Sequence, residues 1–216
     1  LSAIDLAGAR ALVSPVEGHR FLLVLRGRHL DPGLTDSDPQ QLGVPPREIS
    51  AMRPEARETA ALANQWVAQA REILQDSHPA NMVLLRGFSK LPRLPAMGEV
   101  YPLHPAAIAA YPMYRGLARV VGMRVIPTGV SFADEIDTLA RHFQEHDFFY
   151  IHYKPADAAG EDGDFQAKVR ALEALDAYIP RLLDLKPDVF MVAGDHSTPS
   201  VLKAHSWHPV PFLLHS

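Results

Sequence analysis

The sequence has no cysteine in 216 residues. Thiolate zinc sites, a cysteine nucleophile and any disulfide framework are therefore excluded, and a metal, if bound, must sit on histidine and carboxylate. No apolar run approaches the ~20 residues with which a helix spans a bilayer. Excess positive charge is lacking as well. Against 25 Asp plus Glu stand 21 Lys plus Arg, a formal charge of −4, which gives no general attraction for nucleic acid or an anionic membrane. Internal repeats and low-complexity tracts are absent. What is there suits a globular protein: 47% apolar and 21% charged residues, in a length that makes one large domain or two small ones. The counts that stand out are 11 histidines and 19 prolines. Many of the prolines fall in loops, where a missing N–H costs little.

Five short runs, residues 21–25, 82–85, 148–151, 189–193 and 210–214, are apolar throughout without alternation. Strands covered on both faces, as in a parallel sheet, read this way. Between them the spacing predicts helices over 54–75, over 105–121 with a break at Pro112, and over 133–146. In the last long segment Phe165, Val169, Leu172, Asp176, Ile179 and Leu183 step by three or four, with Asp164 as its N-cap. Strand alternating with helix is the pattern of an α/β fold. Residues 28–54, rich in Pro, Asp, Gly and Ser, read as a long functional loop, and 88–104 as a second loop. A soft domain boundary is expected near residue 122, giving domains 1–121 and 122–216.

The densest polar constellation, Gly194-Asp195-His196-Ser197-Thr198-Pro199, follows the run 189–193, with His205-Ser206 shortly beyond. The run 148–151 leads into His152-Tyr153-Lys154-Pro155-Ala156-Asp157 and the acidic turn Glu161-Asp162-Gly163-Asp164. Open α/β sheets place ligands at the carboxyl ends of strands, where both segments fall. Asp, Glu and neutral His suit Mn²⁺, Zn²⁺ or a similar ion, and two clusters suit two ions, which together clamp a phosphoryl group in flight. Taken singly, each motif reads more readily as a turn cap or a solvated acidic loop. Two of them at adjacent strand ends favour a metal centre.

These residues carry a family resemblance. The string 194–199, then Lys203-Ala204-His205-Ser206 and Pro209-Val210-Pro211, resembles the C-terminal metal motif of the archaeal-type cofactor-independent phosphoglycerate mutases, members of the alkaline phosphatase superfamily. His152-Tyr153-Lys154, Asp157, Ala159-Gly160 and Asp162-Gly163-Asp164-Phe165 resemble the family's upstream motif. His19-Arg20, Val24-Leu25-Arg26-Gly27, Thr35-Asp36-Ser37-Asp38-Pro39 and Leu84-Leu85-Arg86-Gly87 match further segments in the same order. The resemblance implies an α/β fold in which a substrate-binding α/β domain is inserted into an alkaline-phosphatase-like parallel-sheet domain, with only the C-terminal part of the latter in this chain. It implies a cytoplasmic, glycolytic isomerase that exchanges 3- and 2-phosphoglycerate through a phosphoserine, with two divalent ions (Mn, Zn or Mg) and without bisphosphoglycerate. Asp195 and His196 would bind one ion, Asp157 and His205 the other, with Lys154 nearby as a cation for the phosphate. Arg20, Arg26 and Arg86 would hold the carboxylate or phosphate of the substrate, and Asp36 or Asp38 would orient its hydroxyls.

Two departures accompany the resemblance. The family's second-site histidine is Glu161 here, a harder and more negative ligand that stays near Asp157 if the segment is helical. The family's nucleophilic serine and one further Asp ligand precede everything in this sequence, so the chain reads as a fragment, inactive alone. A small-molecule substrate, and neither nucleic acid nor membrane, is the expected partner; oligomeric state is not readable. The alternatives are a phosphohydrolase of the same superfamily, which would lose its phosphoenzyme to water, and a non-catalytic homologue in which Glu161 has degraded the metal site.

Overall fold

A computed structural model describes residues 1–16 and 20–216; His19, singled out in the sequence, lies outside them. The chain divides into two compact units, Leu1–Pro92 and Arg93–Ser216. The division lies well before the boundary expected near residue 122. Strand β4 (Pro105–Ile108) sits at the centre of the second unit's sheet, hydrogen-bonded to β5 (Arg124–Val125) on one side and β6 (Phe148–Ile151) on the other, so it cannot belong to the first.

In the first unit β1 (Asp5–Leu6), β2 (Ala9–Pro15) and β3 (Phe21–Gly27) form an antiparallel meander. The run 21–25 is thus not part of a parallel sheet. It has one face on the core, where Phe21, Leu23 and Leu25 pack with Leu6 and Ala11, while the alternate positions, Arg10 opposite Arg26 among them, face away. Helix α1 (Arg57–Leu74), after a turn of 3₁₀ helix at Pro54–Ala56, covers that core as its spacing predicts, burying Leu62, Ala63, Trp66 and Ala70. Trp66 packs on Phe21 at 5.9 Å between ring centres.

The run 82–85 forms no strand. Val83 and Leu85 are buried, but Leu85 is held by a single residue, Ser37, whose N–H donates to the Leu85 carbonyl at 2.8 Å and whose hydroxyl accepts the Leu85 N–H at 2.7 Å. Residues 28–53 are irregular, as expected, and side chains tie them down: Arg53 makes a two-pronged ion pair with Asp31 at 2.8 and 3.0 Å, and Asn64 of α1 bonds both backbone groups of Ile49.

The second unit is built on the parallel sheet β5-β4-β6. The helix expected over 105–121 is replaced by strand β4 and helix α3 (Pro112–Val120). Ala106 and Ala107 favour helix by intrinsic propensity, yet they are fully buried between two strands, where small side chains let the covering helices approach. Helix α2 (Met97–Val100) falls within the expected loop 88–104. Helix α4 (Phe132–His142) carries a Ser131–Asp134 capping box and buries Ile136 and Leu139. Helices α5 (Pro155–Asp162), α6 (Phe165–Asp176) and α7 (Ile179–Leu183) follow, the predicted long helix being broken between α6 and α7. Asp164 caps α6, accepting the Ala167 N–H at 2.8 Å. The runs 189–193 and 210–214 were also expected in a parallel sheet; instead β7 (Phe190–Ala193) and β8 (Phe212–His215) pair antiparallel with each other, and β8 is exposed along its length. Among the described residues no helix is long and apolar enough to cross a membrane.

Candidate metal centre

Helix α5 begins where β6 ends. Lys154 is its N-cap, Pro155 its first residue, and Asp157 lies in the first turn, where a carboxylate is favoured by the helix dipole. Glu161, one turn on, shares Asp157's face. The helix stops at Gly163, whose left-handed backbone (φ 76°) lets its own N–H and that of Asp164 bond back to the last turn. Gly160 is required for a different reason: a side chain there would start 2.3 Å from the Thr198 carbonyl oxygen, so α5 presses directly on the loop after β7. That loop turns through Gly194 to Thr198 and is closed by backbone pairing of Ser197 with Ser206, which brings His205 back to His196.

The result is a cluster of three donors. Asp157 Oδ1 stands 4.0 Å from His196 Nδ1 and 4.0 Å from His205 Nε2, and one ligand atom from each residue lies within 4.8 Å of the others. The two imidazole rings are 3.8 Å apart between centres. Asp195 flanks the cluster on the His196 side, Oδ2 to Nε2 3.5 Å, and Glu161 on the His205 side, Oε1 to Nε2 3.3 Å. Lys154 pairs with Asp157 and, at 3.8 Å, with Glu161. Burial alone would raise the Asp157 carboxyl, but the Lys154 ammonium and the Thr198 hydroxyl together hold it below the usual carboxylate range. Burial would likewise lower Lys154, and its two carboxylate partners raise it instead. Two imidazoles and three carboxylates around a site where a cationic group already sits fit a divalent ion that takes nitrogen and oxygen ligands.

The five metal-ligand candidates and Lys154 are thus brought together. The arrangement mingles the two expected pairs, since Asp157 faces both His196 and His205. The substrate candidates belong to the first unit. Asp36 and Asp38 flank the buried Ser37, so the bonds from Ser37 to Leu85 set Asp36 against the Gly87 N–H (2.9 Å) and Asp38 against Arg86 (3.6 Å). Arg26 stands apart on the outward face of the meander, beside Arg10. Arg20 accepts the Val16 N–H on its carbonyl.

Several residues with distinctive surroundings escaped the sequence reading. Thr198 donates to Asp157, contacts His196 Nδ1 at 3.2 Å, and has its carbonyl held by Lys168 at 2.7 Å. Tyr114 of α3 stacks on His152 at 3.4 Å, and burial there pushes the imidazole down to about 4 and Tyr150 up to about 12. Glu135 of α4 is buried, and its carboxyl rises to about 7. Its signal was available: it shares the stripe of Phe132, Ile136 and Leu139, where a charge is out of place.

A profile of the metalloenzyme superfamily matches residues 40–216. A protein of Aquifex aeolicus named "Probable 2,3-bisphosphoglycerate-independent phosphoglycerate mutase" is 46% identical over 98% of this chain and 53% of its own. A Thermus thermophilus protein of the same name is 50% identical over 91% of this chain and 49% of its own. The chain therefore spans about half the length of these curated relatives. Among solved structures, a cofactor-independent phosphoglycerate mutase from Thermoplasma acidophilum superposes with a TM-score of 0.61 at 25% identity, covering 99% of this chain and 57% of that one. A Pyrococcus horikoshii protein superposes with a TM-score of 0.66 at 28% identity, covering 74% of this chain and 48% of that one. On the profile match over residues 40–216, this chain belongs to the metalloenzyme superfamily.

Proposed function

We propose that the protein carrying this chain is a metal-dependent, bisphosphoglycerate-independent phosphoglycerate mutase of glycolysis, working in the cytoplasm on 3- and 2-phosphoglycerate. The observation that carries the reading is the convergence of Asp157, His196 and His205 beside Lys154 at the carboxyl ends of β6 and β7. The names of relatives at 46–50% identity support it. Asp157, Glu161, Asp195, His196 and His205 would hold two divalent ions, of which manganese suits the mixed nitrogen and oxygen donors. Such ions, when bound, polarise a phosphoryl group and lower the pKa of an attacking hydroxyl.

The chain's own residues do the rest. Lys154 presents an ammonium at the N-terminus of α5, where an anionic phosphoryl oxygen also meets the positive end of the helix dipole. Thr198 and Lys168 hold the Asp157 carboxylate and the loop after β7 in place before substrate arrives. Arg86, beside Asp38, would supply a guanidinium group for the carboxylate or phosphate of glycerate. Asp36 and Asp38, aligned by Ser37, accept hydrogen bonds from its hydroxyls. Glu161 keeps a ligating oxygen where the resemblance calls for imidazole.

The test is isomer exchange in the full natural chain with added Mn²⁺ and no bisphosphoglycerate. Conversion of 3- into 2-phosphoglycerate that stops on chelation is expected. Release of inorganic phosphate without exchange would instead make the protein a phosphohydrolase, and metal-loaded protein that does neither would overturn both.

A further inference from the structure

Among the described residues Glu135 is the only charged side chain in the buried set, at 2% exposure. It projects from the first turn of α4 towards the place where β4 and β6 part. The parallel ladder ends at Ile108 opposite Ile151. Beyond it, Glu135 Oε1 accepts the Ala110 N–H at 2.7 Å, and the His152 N–H also favours the charged form, while Oε2 has no hydrogen-bond partner. The carboxylate thus takes its one hydrogen bond from the end of β4, at the place where the ladder to β6 stops. Burying it is expensive, and an apolar residue in this stripe would serve the core better. The two strand ends explain its presence. Ala110 opens the connection to α3, whose Tyr114 stacks on His152, and His152 opens the connection that delivers Lys154 and Asp157.

We propose that Glu135 is a positioning residue for the metal centre: by accepting the Ala110 N–H where β4 and β6 part, it fixes the start of the connection to α3, whose Tyr114 stacks on His152, and so where the β6–α5 connection places Lys154 and Asp157. The proposal rests on the metal-centre reading of Asp157, His196 and His205, and its test separates the two. Mn²⁺ affinity by calorimetry and backbone amide exchange by NMR are measured on the full natural chain and on its Glu135→Leu and Glu135→Gln variants. Glu135→Leu, of similar volume and without an acceptor, is expected to weaken Mn²⁺ about tenfold, the scale on which partners behind metal ligands act. Its unfolding midpoint should hold while the Ala110 and His152 amides exchange faster. Glu135→Gln keeps one acceptor and should recover part of the affinity. A folded Glu135→Leu variant with unchanged Mn²⁺ affinity overturns the proposal. Should the parent bind no Mn²⁺, the metal-centre reading fails by itself and positioning is read from exchange alone: changes confined to residues 110 and 152–157 sustain it, and unchanged exchange there overturns it.

Discussion

Glu135 and His152 are both partly or wholly buried beyond the end of the β4–β6 ladder, and they couple folding to pH with opposite sign. Burial raises the Glu135 carboxyl from 4.5 to about 7, against the pull of the Ala110 and His152 amides, so between those values the folded chain keeps a proton that the unfolded chain has lost. Its contribution is full below pH 4.5 and is lost as the pH rises through about 7. Burial lowers His152 from 6.5 to about 4, so in that range the unfolded chain takes up a proton that the folded chain refuses. That contribution is full above 6.5 and is lost as the pH falls through about 4. Each slope is ~1.4 kcal/mol per pH unit. Where the two windows overlap they cancel, and this pair leaves stability nearly flat.

Glu135→Gln removes one of the two slopes. Relative to the parent, the variant should gain stability steadily as the pH rises from 4.5 to 7, by ~3 kcal/mol over the whole range. Urea unfolding followed by circular dichroism at half-unit pH steps reads this directly. The difference between the two curves matters, since all other titrating groups drop out of it. Parallel curves would refute the reasoning and show that the Glu135 carboxyl is solvated in the folded chain.

Gly160→Ala forces a methyl group against the Thr198 carbonyl, and overpacking against backbone should cost ~1–3 kcal/mol. Calorimetric unfolding measures the loss, and no change would mean that α5 and the loop after β7 separate freely. Ser37→Ala leaves the buried Leu85 N–H without its acceptor, at a cost of ~1–3 kcal/mol. The same variant keeps the Ser37 N–H bond to the Leu85 carbonyl and loses only the hydroxyl's share in setting Asp36 and Asp38, so on the proposed function phosphoglycerate affinity should fall slightly with stability; an unaltered affinity would show that the hydroxyl does not set them.

The convergence of Asp157, His196 and His205 was legible because these residues come in short strings that follow strands, and chain connectivity alone brings residues 152–161 and 194–206 to strand ends. The amphipathic helices α1 and α4, and the Asp164 cap, were legible through their period of three to four. Strand β4 was not, because Ala106 and Ala107 carry a helical preference that only burial between two partner strands overrides. An apolar run without alternation also cannot say which strand it will pair with. The runs 21–25 and 189–193 therefore read as parallel although both found antiparallel partners. Leu85 looked like a strand residue and is held instead by the backbone N–H and hydroxyl of one residue, Ser37. Glu135 was visible as a charge in an apolar stripe, but its purpose needed the distance to Ala110.

The most direct test of the account is anomalous X-ray scattering from crystals of the natural protein equilibrated with Mn²⁺. The account predicts a manganese peak ligated by Asp157, His196 or His205, with Lys154 withdrawn from Asp157 to admit it. Manganese peaks elsewhere in the protein, with these three side chains and the Lys154 ion pair undisturbed, would contradict it.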